Sequence, residues 1–123
     1  WFNNESSLTD ALRRSGGFGL LWHDNPVWIE YMKRNACCKL SNYLCAGLPV
    51  IVHSSIAEAD TIRRKNLGLV VDCIEEAVKQ VEEMTEERYQ QMVQDVDSFG
   101  NLVRQGYFAK KLLTDAVFKL LYD

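Results

Sequence analysis

No stretch of this sequence is apolar for long enough to cross a membrane, and no signal peptide opens it. Excess positive charge is also missing, since 14 basic residues against 17 acidic ones leave a net charge of −3 and a pI near 5.4. A general nucleic-acid-binding surface is therefore not expected. A chain of 123 residues, 47% of them apolar, is long enough for one globular domain with a sizeable core, and we expect it to be cytoplasmic.

The four cysteines and two histidines form no recognisable metal-binding or disulfide pattern. Cys37 and Cys38 are adjacent, and Cys45 and Cys73 follow at spacings that match neither zinc ligands nor a common disulfide framework. Reduced, mostly buried thiols are the interpretation that we favour. The histidines lack the partners and spacing of a metal site, so no metal cofactor is expected.

Several motifs of common enzymes and nucleotide-binding proteins are absent as well. The sequence has no G-x-G-x-x-G after a strand, no P-loop and no G-x-S-x-G elbow. It therefore lacks the dinucleotide-binding fingerprint, the phosphate loop of P-loop proteins and the nucleophile elbow of α/β-hydrolases.

What the sequence does contain is an alternation of short apolar runs and amphipathic segments, which predicts strands alternating with helices. Capping boxes are predicted at Ser7, Ser55 and Asp72, and a polar and aromatic connection at residues 23–33. The predicted strands are 18–22, 50–52 and 68–71, and the predicted helices are 8–15, 39–47, 55–65, 72–83, 85–105 (with Gly100 as a possible kink) and 107–122.

This order predicts an α/β fold with an open parallel sheet and right-handed crossovers. Residues 1–84 would form a Rossmann-like core, and residues 85–123 helices that pack on it. A parallel sheet of three strands has exposed edges, so we expect further strands upstream. The start at Trp1, without a methionine or a polar tail, also indicates a piece of a longer polypeptide.

Lys39 stands out because it lies in the first turn of a predicted helix that ends at Gly47-Leu48-Pro49. A cation there opposes the helix dipole, typically by roughly 0.3–1 kcal/mol. Unpaired N–H groups together with a lysine form a suitable site for a phosphate. The alternative is a side chain that covers apolar surface and keeps its ammonium in water.

Polar residues follow each predicted strand, at the edge where ligands bind in open parallel sheets. They suit an anionic, polyhydroxylated ligand, although structural roles remain open: His53 as a hydrogen-bonded structural histidine, Ser55 as a cap and Tyr31 as a packing residue. The polar residues are His23, Asp24 and Asn25 after the first strand, His53, Ser54 and Ser55 after the second, and Asp72 and Cys73 after the third.

The segment 39–52, K-L-S-N-Y-L-C-A-G-L-P-V-I-V, resembles the donor-binding segment of GT-B-type retaining glycosyltransferases, in their C-terminal Rossmann-like half. N-L-G-L-V-V at 66–71 is similar to the family's next helix end and strand. W-H-D-N-P, N-A-C-C-K-L-S-N-Y-L and G-Y-F-A-K-K-L-L most resemble one branch, the streptococcal and lactobacillar glucosyltransferases that extend glycans on serine-rich repeat adhesins. Members of this branch are also described as nucleotide-sugar-synthetase-like.

The resemblance implies roles for five residues. Lys39 would contact the donor phosphates and stabilise the leaving group, with Asn35 and Ser41 near the same ligand. Asn42 stands where many relatives carry the glutamate that holds the ribose, and its amide can still bond a hydroxyl. Tyr31 would contact the base.

The activity implied by the resemblance is transfer of glucose from UDP-glucose, with retention, to a glycan on a serine- and threonine-rich acceptor protein. No metal would be needed, and this portion alone would be inactive because the acceptor site belongs to the protein's own N-terminal domain. A homo-oligomer is possible. Two alternatives stay open, a non-catalytic GT-B-like partner subunit that stabilises a transferase and a flavodoxin-like or receiver-type signalling domain.

Overall fold

A computed structural model describes residues 4–35 and 37–122, so Trp1, Phe2, Asn3, Ala36 and Asp123 lie outside the described residues. The described part of the chain alternates helix and strand and ends in helices, as predicted. Its elements are α1 (Glu5–Ser15), β1 (Gly19–Leu21), α2 (Pro26–Met32), α3 (Cys38–Ala46), β2 (Val50–His53), α4 (Ala59–Arg64), β3 (Gly68–Val71), α5 (Ile74–Glu82), α6 (Glu86–Arg104) and α7 (Tyr107–Tyr122).

The strands of the described residues form one open parallel sheet in the order β1-β2-β3. Val50 of β2 is aligned with Gly19 of β1 and with Gly68 of β3. Val50 and Val52 are fully buried, which is expected of a central parallel strand with helices on both faces. The predicted α/β class and parallel sheet are confirmed.

The two faces of the sheet carry different helices. On one face, Leu40 and Leu44 of α3 pack in a cluster with Val50, Val52 and other buried residues. On the other face, Ala77 of α5 packs with alternate strand residues, among them Leu69, Val71 and the half-buried Ile51. Both helices begin at the carboxyl edge of the sheet, because α3 leads back into the start of β2 and α5 follows the end of β3.

Gly47 ends α3 as the sequence predicts, and Thr85 caps the helix predicted at 85–105. Gly47 follows α3 in the left-handed conformation, with φ 79° and ψ 21°, and its N–H donates to the Leu44 carbonyl. Thr85 Oγ1 accepts a hydrogen bond from the Arg88 N–H at 3.2 Å and caps α6.

Gly100 lets α6 approach α3 closely. A Cβ atom at this position would lie 2.3 Å from the Leu44 carbonyl oxygen. The α6 helix continues through Gly100 to Arg104, whose guanidinium donates to the Cys45 carbonyl at 2.6 Å. The helix contact therefore explains this glycine.

We expect Gly100→Ala to lower the free energy of unfolding by about 1–3 kcal/mol, because α6 must move away from α3 to admit the methyl group. Urea unfolding would measure the loss. Ser98→Ala, at an exposed position of the same helix, is the matched control and should change stability by no more than about 0.5 kcal/mol. Equal stability of the two variants would contradict the close contact.

The predicted capping boxes at Ser7, Ser55 and Asp72 are wrong. Asn4 caps α1, and Ser7 lies inside that helix and donates its N–H to Asn4 Oδ1 at 2.8 Å. The Ser55 N–H and hydroxyl bond the His53 ring instead of a helix end, so α4 begins later, at Ala59. Asp72 accepts a hydrogen bond from the Ser54 hydroxyl. Cys73 is the N-cap residue of α5, and no side chain caps that helix there.

The 23–33 segment is not simply the polar and aromatic connection that the sequence predicts, because it contains α2. Asn25 caps this helix, its Oδ1 accepting from the Val27 N–H at 2.9 Å, and Pro26 takes the first helical position. The Met32 carbonyl then accepts a hydrogen bond from the Ala57 N–H at 3.3 Å, which ties α2 to the loop after β2.

The predicted burial of the cysteines is also wrong, although all four thiols are free. Cys38 and Cys73 are exposed, and Cys37 and Cys45 are half-buried. The physical reason is their place in the fold, since Cys37, Cys38 and Cys73 stand where α3 and α5 begin, at the solvent-facing carboxyl edge.

The α7 helix exposes a large apolar surface. None of its residues is buried, and four leucines expose between 67% and 85% of their surface. These leucines are Leu112, Leu113, Leu120 and Leu121. In the described part of the chain, no helix has both the length and the apolar character needed to cross a membrane.

Candidate functional site

Lys39 lies in the first turn of α3, as predicted, and its side chain is exposed. No acidic residue lies in that turn, and no side chain caps the helix at Cys37. Among residues 4–35 and 37–122, Lys39 has no hydrogen-bonded or ion-paired partner. The helix start therefore presents an unpaired ammonium beside backbone N–H groups, which is the arrangement that binds anions.

The two cations that follow α2 are already paired. Lys33 Nζ lies 3.0 Å from Glu30 Oε2. A guanidinium nitrogen of Arg34 lies 3.4 Å from Glu30 Oε1. The hydrogen bond from Lys33, together with its charge, lowers the pKa of the Glu30 carboxyl. Glu30 therefore remains ionised and occupies both cations, whereas Lys39 stays available to an anionic ligand.

Two of the other predicted site residues lie together, Tyr31 near the end of α2 and Asn35 shortly after it. Tyr31 and Asn35 line an open cavity of about 570 Å³, and the Asn35 amide donates to the Tyr31 carbonyl at 3.1 Å. Ser41 is exposed and Asn42 half-buried on α3, two and three residues beyond Lys39. Lys39, Ser41 and Asn42 are not among the described residues that line this cavity.

The ends of the three described strands converge on a second cavity, at the carboxyl edge of the sheet, of about 350 Å³. The sequence pattern predicts the polar residues that follow each strand but not Trp22, Ile29, Ile74 and Glu75. The described residues that line this carboxyl-edge cavity are Trp22, His23, Asp24, Ile29, His53, Asp72, Cys73, Ile74 and Glu75.

Local contacts fix the orientation of the His53 ring. The Ser55 N–H donates to His53 Nδ1 at 3.1 Å, and Ser55 Oγ lies 2.7 Å from the same nitrogen. Because Nδ1 accepts, the neutral ring carries its proton on Nε2. The ring also meets Trp22 edge-on, with 5.3 Å between the ring centroids. This geometry gives His53 a structural hydrogen bond and leaves Nε2–H as a donor.

An aromatic cluster continues along this edge into α2. His23 stacks on Trp28 with 5.5 Å between the ring centroids, and Tyr31 meets Trp28 nearly at right angles at 5.6 Å. About half of the surface of Trp28 and of Tyr31 remains exposed. The two residues therefore pack against each other and still offer aromatic surface to a ligand.

A parallel α/β sheet with polar side chains and helix starts at its carboxyl edge defines an open α/β ligand-binding domain. The particular family follows from sequence comparison. The family model described as "Glucosyltransferase 3-like, C-terminal domain" matches residues 1–116, and the chain belongs to this family.

Three curated relatives agree with this assignment. "Glucosyltransferase 3" of Streptococcus gordonii is 49% identical over 124 residues, which cover 98% of this chain and 36% of the relative. "Glucosyltransferase 3" of Streptococcus parasanguinis is 40% identical over 108 residues, 88% of this chain and 32% of the relative. "Beta-1,6-galactofuranosyltransferase WbbI" of Escherichia coli K12 is 30% identical over 106 residues, 81% of this chain and 32% of the relative.

The chain thus spans about a third of the length of the curated relatives that it matches. All three are named as glycosyltransferases, and two of them as glucosyltransferases. These names favour a transferase over the partner-subunit and receiver-type alternatives.

Proposed function

We propose that this chain is the donor-binding portion of a retaining glycosyltransferase of GT-B architecture. The full-length protein would transfer glucose from UDP-glucose to a glycan on a serine- and threonine-rich acceptor protein in the cytoplasm. The observation that carries this proposal is the family match over residues 1–116, which includes the unpaired Lys39 at the start of α3.

In this proposal the donor diphosphate lies at the N-terminus of α3. The backbone N–H groups of the first turn and the Lys39 ammonium would stabilise the negative charge that grows on the leaving UDP. A site that supplies positive charge in this way needs no metal ion, and we propose that none is used. The absence of an acid from the first turn supports this placement, because no carboxylate there competes for Lys39.

We propose the remaining donor contacts from where the other predicted site residues lie relative to Lys39. Asn42, one turn beyond Lys39, would bond a ribose hydroxyl through its amide, and Ser41 and Asn35 would lie beside the same ligand. Tyr31 would stack on the base, and its half-exposed ring beside Trp28 supports this role.

The exposed apolar surface of α7 supports a further partner, the protein's own N-terminal domain. Leu112, Leu113, Leu120 and Leu121 together form an exposed patch of the kind that marks an interaction surface. We propose that α7 packs against that domain, which would also hold the acceptor site. Residues 1–84 would then be the nucleotide-sugar core and residues 85–123 its helical extension.

Calorimetric titration of the full-length protein with UDP, UDP-glucose, GDP and ADP tests the donor proposal. UDP and UDP-glucose are expected to bind, and GDP and ADP to bind at least tenfold more weakly. Preference for a guanine or adenine nucleotide would contradict the proposed donor. No binding of any of the four would favour the non-catalytic partner subunit.

A further inference from the structure

Two arginines from different helices meet at the C-terminal end of α3. Arg104 Nη1, at the end of α6, donates to the Cys45 carbonyl at 2.6 Å, and Arg13 Nη2 of α1 donates to the same oxygen at 3.4 Å. The last carbonyls of an α-helix have no partner inside the helix, and the helix dipole favours a cation beside them. The end of α3 is therefore held from outside by two guanidinium groups.

The Arg104 side chain is itself fixed in place. Its Nη2 donates to Asn101 Oδ1 at 2.5 Å and to Asp97 Oδ1 at 3.4 Å, and only 30% of the side chain is exposed. Asn101 and Asp97 lie earlier on α6, so the planar guanidinium is oriented by its own helix where it meets Cys45. Arg104 is thus an oriented link between α6 and the last turn of α3.

The α6 helix also holds α3 by packing. At Gly100 the two backbones approach so closely that a Cβ atom would lie 2.3 Å from the Leu44 carbonyl oxygen. Val96 is fully buried in the cluster that contains both Leu44 and Leu40, and Leu40 lies in the first turn of α3. Positions 96, 100 and 104 are spaced by four residues, so they share the face of α6 that is turned toward α3.

The start of α3 has little local support. No side chain of the described residues caps the helix at Cys37. A helix of 9 residues is about 13 Å long, so a change of its direction at Cys45 displaces Lys39 near the other end. A displacement of about 1 Å can lower the activity of an enzyme by about 10²-fold. The hold of α6 on the last turn of α3 therefore matters for the first turn.

We propose that Arg104 is a positioning residue for the donor diphosphate. Held by Asp97 and Asn101, it fixes the last turn of α3 and thereby the place where Lys39 and the first-turn N–H groups meet the phosphates. Arg104 does not touch the ligand, because it contacts the opposite end of α3. The inference rests on the proposed function, since it takes the N-terminus of α3 as the diphosphate site.

The test uses the full-length protein and compares UDP affinity with stability. Arg104→Met keeps much of the length of the side chain and removes its N–H donors, and it is expected to raise the Kd for UDP about three- to tenfold. Arg104→Lys keeps the charge and should recover part of that loss. Calorimetric titration well below the unfolding temperature measures the Kd, and urea unfolding measures the stability of each variant.

Thr85→Ala is the matched control, because it removes the N-terminal cap of α6, at the opposite end of the helix from Arg104. It should lower stability and leave the Kd for UDP unchanged. An unchanged Kd in Arg104→Met would overturn the proposal, since Arg104 would then only support the fold. An equal rise of the Kd in Arg104→Met and Thr85→Ala would also overturn it, because affinity would then follow stability and not the position of α3.

Gly100→Ala carries the test if Arg104→Met does not fold. It moves α6 away from α3 without removing a charge, so it should also raise the Kd for UDP, whereas Ser98→Ala should not. A Kd equal to that of Ser98→Ala would then overturn the proposal.

Hydrogen exchange separates this inference from the proposed function. If the wild-type protein does not bind UDP, the proposed donor site is wrong, and the exchange of the α3 amides then decides the role of Arg104. Faster exchange across residues 38–46 in Arg104→Met, but not in Thr85→Ala, would support the hold of α6 on α3. Equal exchange in the two variants would overturn it.

Discussion

Lys39→Ala is expected to weaken UDP binding by about 10- to 100-fold, since hydrogen bonds to charged groups contribute about 1.5–3 kcal/mol. The structure favours a loss of this size, because Lys39 has no acidic neighbour in its turn of α3 while Lys33 and Arg34 are held by Glu30. Either of those cations would have to leave Glu30 before it could take over this role. Calorimetric titration of the full-length protein with UDP measures the loss.

The same substitution should not destabilise the fold. A cation in the first turn opposes the helix dipole, so removing it should leave the midpoint of thermal unfolding unchanged or slightly higher. Lower affinity together with unchanged or higher stability would identify Lys39 as a residue that serves binding and does not support the fold. A lower midpoint would show instead that its side chain supports the fold.

Two control variants sharpen this result. Lys79→Ala removes an exposed ammonium from the last turn of α5, where the helix dipole favours it, and is expected to leave UDP affinity unchanged. Lys39→Arg keeps the charge in a different shape and should retain part of the affinity. UDP affinity that is the same in Lys39→Ala and the wild type would refute the phosphate role of this residue.

The sheet could be predicted because its strands have simple signals. Val50-Ile51-Val52 is apolar on both sides and is bounded by Pro49, so the run fits only a strand buried on both faces. Gly47 is equally informative, because the left-handed conformation that it adopts after α3 is strained for other residues. These local preferences agree with the tertiary structure, and the predictions that depend on them are confirmed.

The sequence pattern does not predict α2, because the residues at its start fit either a turn or a helix N-terminus. Asp24-Asn25-Pro26 is a good turn, and Asn25-Pro26 is also a good helix start, with the asparagine as cap and the proline in the first position. The structure selects the helix, and Met32 is buried in the core at its end. That packing depends on α2 reaching the loop after β2, a long-range contact that no local pattern shows.

The geometry of the candidate site likewise depends on long-range packing that no local sequence pattern shows. Sequence order places every strand end and both helix starts at one edge of the sheet, and this part of the prediction agrees with the structure. Which face each helix covers depends on how α3 and α5 pack, so only the structure shows that Lys39 does not line the carboxyl-edge cavity. Glu75 illustrates this, because its spacing from Asp72 is typical of a capping box, whereas in the structure it lines the cavity.

Gly68→Ala is expected to lower the free energy of unfolding by about 3 kcal/mol or more, the largest stability effect of a single methyl group that we predict for this fold. A Cβ atom at Gly68 would lie 1.9 Å from the Val50 carbonyl oxygen and 2.7 Å from Val50 C and N. Gly68 and Val50 are register partners in hydrogen-bonded strands, so neither backbone can move without breaking the sheet. The pairing of β2 with β3 prevents the two strands from moving apart to admit the methyl group, whereas α6 can shift away from α3 when Gly100 is replaced.

Thermal and urea unfolding would measure this effect, with Gly16→Ala as the control. Gly16 has a φ of 64° and a ψ of −171°, a conformation that residues with a Cβ atom rarely adopt, and a methyl group added there would meet no atom within 4 Å beyond its chain neighbours, so its replacement should cost a backbone strain of about 1–3 kcal/mol without a clash. Gly68→Ala is expected to cost more, because its methyl group meets the backbone of β2. If Gly68→Ala were as stable as Gly16→Ala, β2 and β3 would not be packed as closely as the structure shows, and the edge that brings His53 and Asp72 into one cavity would be less rigid than the site requires.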